Sequence, residues 1–249
     1  MKLAVCVSHV PDTATRIKVG SDGKTIDPNG VTYIINPYDE YAVEEALKVK
    51  EKSGSDEVVI LSLGTENSKE TIRKALAMGA NSGILLRDDQ HRDSLGVATA
   101  LAEEIKTQDA KLVFMGKQSV DYDNSIVGQL TAEMLNYNCV PVCVKLEIEG
   151  EKIIAEREIE GGREIIETSL PCVITCQKGL NEPRYASLKG IMAAKKKVIE
   201  EKPAASYTPT SEVIKMHLPA GKQPGRIVGS DASAVPELVK LLKEEAKVI

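Results

Sequence analysis

The chain has 249 residues, 42% hydrophobic and 28% charged, with a net charge of -5 at neutral pH. That length allows one domain with appendages or two small ones, and the composition is ordinary for a soluble protein. The negative balance argues against a nucleic-acid binder driven by phosphate contacts, local basic patches aside, and a chain without Trp and with one Phe shows no platform for stacking bases or flavin rings.

Leu3-Ala4-Val5-Cys6-Val7 is a short apolar run of the kind that forms a buried parallel strand. Nothing precedes the strand at Lys2 to Val7, so no cleavable targeting segment is expected. No apolar run approaches membrane-spanning length, and a cytoplasmic, bacterial protein is expected. Further strands are expected at Val58 to Leu63, Gly83 to Leu86 and Leu112 to Met115. Between them lie helical patterns, marked by Val43, Ala46 and Leu47, by Ile72, Ala75, Leu76 and Ala77, and by Leu95, Ala98, Leu101, Ala102 and Ile105. Alternation of this kind predicts an α/β fold, a mainly parallel sheet with helices on both faces.

Near Val140 the pattern changes. Val142 to Ile148, Lys152 to Ile159, Arg163 to Ser169 and Pro171 to Cys176 read as a meander of antiparallel strands over 142–176 that extends the sheet. Beyond Gly179 the chain is turn-rich, with a short basic helix expected at Ile191 to Lys197. Lys202 to Ala232 carries four prolines and little periodicity, which reads as a linker or binding arm. Ala234 to Val248 then reads as an amphipathic helix with Val235, Leu238, Val239, Leu241 and Leu242 on its apolar face. The division expected is a nucleotide-binding body over 1–185 and a docking and arm region over 186–249.

The spacings Cys139/Cys143 and Cys172/Cys176 could suggest zinc. Most of the five cysteines sit in Val/Ile-rich runs, however, and the three His residues supply no companion spacing. They read better as small buried hydrophobes in a reducing compartment.

Three segments carry the functional reading. Asn36-Pro37-Tyr38-Asp39 is a helix start: Asn36 can cap, Pro37 fits the first helical position, and Asp39 can bond back to the cap residue's amide. It is either a cap alone or a cap facing a ligand at the carboxyl edge of the sheet, where open α/β sheets bind theirs. Gly116 to Ser125 is a glycine-led polar loop between a strand and a helix expected from about Ser125 to Leu135. Such a loop lets backbone groups and a helix N-terminus approach phosphate, though it matches no P-loop. In the third segment Leu188, flanked by Arg184 and Lys189 and followed by Lys195 and Lys196, is either a docking anchor ringed by cations or a solvated basic helix end.

Taken together, these segments resemble the electron-transfer flavoprotein beta-subunit family along the whole chain. The resemblance rests on Val10-Pro11-Asp12, Asn36-Pro37-Tyr38-Asp39 and Ala75 to Ala80, and on Gly116-Lys117-Gln118 with Asp121 and Asp123. Glu156 to Gly162, Leu170-Pro171 and Leu180 to Ala186 add its most specific parts. It implies a fold like that of the adenine-nucleotide alpha hydrolases and a non-catalytic carrier subunit of a heterodimer. The alpha subunit would hold the redox FAD and this chain a structural AMP. Implied partners are that alpha subunit, acyl-CoA or related dehydrogenases of fatty acid oxidation, and a quinone oxidoreductase acceptor. By position, AMP would be held by Cys6, Asn36, Pro37, Tyr38, Asp39 and Leu63. The loop would add Gly116, Lys117, Gln118, Ser119, Val120, Asp121, Asp123, Asn124, Ser125 and Val127. Glu158 would lie near the FAD, and Leu188 would be the recognition-loop leucine. Many members have Asn-Gln-Thr where this chain has Ser125-Ile126-Val127, which reduces side-chain contacts to phosphate and leaves backbone amides and Ser125 to compensate. An electron-bifurcating branch holds a second FAD in place of AMP. Tyr122, Gln129 and Asn181-Glu182-Pro183 depart from that branch, so the resemblance favours AMP. A stand-alone nucleotide sensor would need neither the Leu188 segment nor the arm.

Overall fold

In the computed structural model, which describes residues 1–54, 56–222 and 224–249, a nine-stranded sheet forms the centre of the molecule. Its first half is parallel. β1 (Lys2–Cys6) lies between β4 (Glu57–Gly64) and β6 (Leu112–Gly116), and β5 (Ser82–Arg87) pairs with the outer side of β4. These strands are buried on both faces, which is why they read as unbroken apolar runs rather than alternating ones. α1 (Pro37–Ser53) and α2 (Ser68–Met78) cover one face through Val43, Leu47, Ile72 and Leu76. α3 (Ser94–Gln108) and α4 (Val127–Leu135) cover the other through Leu101, Ile105, Ala132 and Leu135. Phe114 is fully buried within an otherwise aliphatic core.

The second half differs from the expected meander in one respect. β7 (Asn138–Glu149), β8 (Lys152–Ile159) and β9 (Gly162–Ser169) are antiparallel neighbours. β10 (Cys172–Cys176), however, turns back and inserts between β6 and β7, parallel to both. It therefore belongs to the parallel core, as its five buried residues require. The same pairing sets Cys176 beside Cys143. Four of the cysteines are buried, Cys139 is half-buried, and all five are free. Among the described residues, no group of three or more His, Cys, Asp or Glu is placed to hold a metal.

Smaller features lay beyond the sequence pattern. β2 (His9–Pro11) and β3 (Tyr33–Ile35) form a separate antiparallel pair. α5 begins at Leu188, earlier than expected, and runs to Lys196. β11 (Ile199–Pro203) then adds a parallel edge strand to β5, so the arm begins as part of the sheet. Over residues 204–222 the arm is irregular. It is held first against the loop between β5 and α3, and then at Met216, whose amide donates to the Gly23 carbonyl. The last helix, α6 (Val235–Glu244), is shorter than expected and none of its residues is buried. Val235, Leu238 and Val239 are exposed to about half their surface (52%, 43% and 45%), while Leu241 and Leu242 are half-buried, so among the described residues much of its apolar face is left uncovered. Among the described residues, no helix is long and apolar enough to cross a membrane.

Candidate functional site

Because β4 and β5 lie on one side of β1 and β6 on the other, a crevice opens at the carboxyl ends of β1 and β6, where the sheet's winding reverses. A cavity of about 720 Å³ occupies it. The strand ends supply Cys6, Val7, Ser8, Leu63, Met115 and Gly116. The loop after β6 adds Lys117 to Ser119, Asp121, Tyr122 and Asn124 to Gly128. Its size is within the usual range for small-molecule sites.

Asp39 organises this crevice. It is 3% exposed and accepts hydrogen bonds from the Ser8 amide (2.7 Å), the Gly116 amide (3.0 Å) and the Asn36 side chain (2.8 Å). It therefore ties the ends of β1 and β6 to the start of α1. Gly116 permits this approach, since a β-carbon there would run into Asp39 and lie 2.8 Å from Tyr38 Cβ. Burial raises the Asp39 pKa to about 7 against the opposing effect of its three donors, with Asp121 adding a little in the same direction.

Asn36 does not cap α1 with its side chain. Its amide donates to the Gln118 carbonyl (2.8 Å) as well as to Asp39, and its Oδ1 accepts from the Val120 amide (3.2 Å). Asp39 in turn takes the side-chain amide of Asn36 rather than its backbone N–H. The pair acts as a buried clamp on the loop, not as a terminal cap. Asn36, Pro37, Tyr38, Val120 and Asp123 accordingly stand behind the lining residues. Tyr38 lies under the Lys117 ammonium, 5.1 Å from ring centre to Nζ. Asp123 accepts from Gln118 Nε2 (2.5 Å).

The loop reaches α4 through Asp123 and Ser125, both at positive φ (53° and 52°). α4 itself starts at Val127, two residues later than expected, and has no side-chain cap. Its first-turn amides, like those of any helix start, lack intrahelical partners, and Val127 and Gly128 line the cavity at the favourable end of the helix dipole. Gly128 sits where a β-carbon would strike Thr175 of β10, which fixes the helix close to the sheet. The Ser125 hydroxyl donates to Gln118 Oε1 (2.7 Å). Burial holds the Cys6 thiol far above its ordinary pKa, with Asp39 adding to the effect, so Cys6 offers backbone and apolar surface rather than a nucleophile.

The remaining wall was not legible in the sequence. Beyond apolar residues of α3 and α4, it includes His9, His91, Arg92 and Asp93 together with Thr210, Ser211 and Val213 of the arm. Asp93 caps α3 by accepting from the Gly96 amide (2.9 Å), and an Asp-Ser pair ahead of an apolar helical pattern was a readable signal for that cap. Burial opposes its ionisation, but bonds from Gly96, the Tyr207 hydroxyl and Thr210 hold its carboxyl far below the usual range.

The other predicted residues lie elsewhere. Glu158 is exposed near the end of β8 and accepts from Gln177 Nε2 (3.0 Å). Arg184 is not a free cation: it pairs with Glu44 (2.8 Å) and with Glu51 of α1, and so anchors the chain that leads into α5. Asn181 joins it by donating to the Tyr41 carbonyl and to Glu45. Leu188 is 84% exposed at the first turn of α5, and Met192 one turn on and Tyr185 just before it are exposed too. Lys195 and Lys196 are exposed at the helix end. Sequence reasoning found the leucine but missed the neighbours that make it a patch.

Comparison with known proteins gives a consistent result. Residues 24–207 match the electron transfer flavoprotein domain. The chain is 40% identical to the electron transfer flavoprotein subunit beta of Bradyrhizobium diazoefficiens, with both chains covered completely. It is 39% identical to the subunit beta of Bacillus subtilis, again over both full lengths. Against the human subunit beta it is 38% identical, covering all of this chain and 99% of the human one.

Proposed function

The chain belongs to the electron transfer flavoprotein beta-subunit family, and on that premise we propose that it holds one structural AMP while docking partners for a flavin carried mainly by an alpha subunit. The observation that carries the AMP reading is the cavity at the carboxyl ends of β1 and β6, backed by the Asp39–Gly116 contact and the uncapped start of α4. The α4 amides and Ser125 would meet the phosphate, and the Lys117 charge would lie near it. The ends of β1 and β4, at Cys6 to Ser8 and Leu63, would hold the nucleoside.

This arrangement fits a tightly held nucleotide better than a reacting one. Asn36 and Asp39 are buried and fully engaged in shaping the loop, and Cys6 is kept protonated. The FAD would supply the electron chemistry, and this chain's part would be to position and present it. The uncovered face of α6 supports association with the alpha subunit. The exposed Leu188, Met192 and Tyr185, beside Lys195 and Lys196, support docking of an acyl-CoA or related dehydrogenase. A quinone oxidoreductase as acceptor and a cytoplasmic site of action complete the reading.

The test is to purify the native heterodimer, release its nucleotides with acid and identify them by mass spectrometry. One AMP and one FAD per heterodimer are expected. Two FAD and no AMP would place the chain in the electron-bifurcating branch.

A further inference from the structure

The arm does more than lead to α6. Between Ala205 and Val213 it crosses the cavity beside the loop that joins β5 to α3, and two successive residues of that loop grip it. Asp93 Oδ1 accepts from the Tyr207 hydroxyl (2.8 Å). Its Oδ2 accepts from both the amide and the hydroxyl of Thr210 (2.8 Å each), and more weakly from Ser211. Arg92, paired with Asp88 at 2.5 Å, donates to the Ala205 carbonyl (2.5 Å), and its guanidinium lies 5.7 Å from the centre of the Tyr207 ring. The Arg92 side chain is only 7% exposed, so this grip is built in rather than incidental. Gly96 leaves room for it, because a β-carbon there would run into the Tyr207 ring.

The same loop also reaches the nucleotide loop. Asn124 Nδ2 donates to Ser94 Oγ (2.9 Å), and the Tyr122 hydroxyl lies 3.3 Å from His91 Nδ1. Thr210, Ser211 and Val213 line the cavity directly.

We propose that arm residues 205–213, latched by Arg92 and Asp93, form the closing wall of the nucleotide cavity, so that the resident nucleotide leaves only when the arm is released. The proposal rests on the nucleotide reading above. It assigns binding roles to Arg92, Asp93, Tyr207 and Thr210, none of which belongs to the glycine-led loop or the α1 start. It also couples retention of the nucleotide to the segment that leads to the partner-binding helix. A chain with a loosened arm loses its nucleotide and the position of α6 together.

The experiment uses the native alpha–beta heterodimer. The bound nucleotide is identified first, and its exchange against an excess of the isotopically labelled form is followed by mass spectrometry. Two variants are compared with wild type. Asp93→Ala removes the latch from the body side. The double variant Tyr207→Ala, Thr210→Val removes it from the arm side and leaves Asp93 free to cap α3. Both should exchange at least tenfold faster than wild type, with faster amide hydrogen exchange over 205–213. Wild-type exchange rates in both variants, with their folding and assembly verified, overturn the latch. A nucleotide other than AMP in the wild type defeats the AMP reading alone, since the latch is then judged with that nucleotide labelled. A wild type found to contain no nucleotide at all overturns both.

Discussion

Replacing Asp39 with Asn tests the electrostatics of the crevice. The carboxyl goes from an ordinary value of 3.8 to about 7 on folding because burial outweighs three hydrogen-bond donors. An acid whose folded pKa is raised loses stability as pH climbs from its unfolded value to its folded one, and the loss is complete above that. A shift of about three units corresponds to about 4 kcal/mol in full. Roughly 2–3 kcal/mol of that loss falls between pH 5 and pH 8. Asn carries no charge at any pH, but its NH2 offers two donors and cannot accept from the Ser8 or Gly116 amide as a carboxyl oxygen does, a cost that is the same at every pH. Relative to wild type, Asp39→Asn should therefore gain about 2–3 kcal/mol between pH 5 and pH 8, on top of that constant cost. Urea unfolding of the purified chain at several pH values, read as the difference between variant and wild type, isolates this one group. A difference that stays flat from pH 5 to pH 8 and changes only below pH 4 would refute the reasoning. It would show that the Ser8, Gly116 and Asn36 donors outweigh burial.

Four further outcomes are expected. Gly116→Ala should lower stability by about 1–3 kcal/mol through overpacking against Asp39 and Tyr38, and should empty the cavity, as read by the melting temperature and by nucleotide content. Leu188→Ala should slow flavin reduction by a reduced dehydrogenase about tenfold in stopped flow, the effect of an anchor worth a little over 1 kcal/mol, with flavin content unchanged. Neutralising Lys195 and Lys196 should instead flatten the salt dependence of association. Truncation after His217, beyond the points where the arm is pinned, should leave the body folded but weaken association with the alpha subunit. An undiminished heterodimer on size exclusion would show that α6 is dispensable.

The sequence was most legible where burial is symmetric. β1, β4, β5 and β6 are covered on both faces, so apolarity alone identified them. The same apolarity located β10 but not its direction, because partner choice depends on which edges stay open after the hairpins form. β11, Ile-Glu-Glu-Lys-Pro, is a charged edge strand and leaves no hydrophobic signature. In the site, the glycine-led loop and the α1 start were visible because turn and cap chemistry is local. The roles of Asn36 and Asp39 as a clamp across more than 75 residues were not. Nor was the meeting of Asp93 with Thr210, which depends on where an aperiodic segment falls in space.

The placement of β10 governs the order in which the sheet can be assembled. β6 and β7 have no common neighbour until residues 172–176 arrive, although the β7–β8–β9 hairpins close through short local turns. Pairing of β10 with β6 bridges about 60 residues, the kind of distant contact that makes folding slow. Until then each half presents an open strand edge, and the β5 edge likewise waits for residues 199–203. During synthesis the half-made sheet is therefore an adhesive object, vulnerable to edge-to-edge pairing with its own copies until its last strands are in place. The final third of the chain completes the fold before it serves any partner.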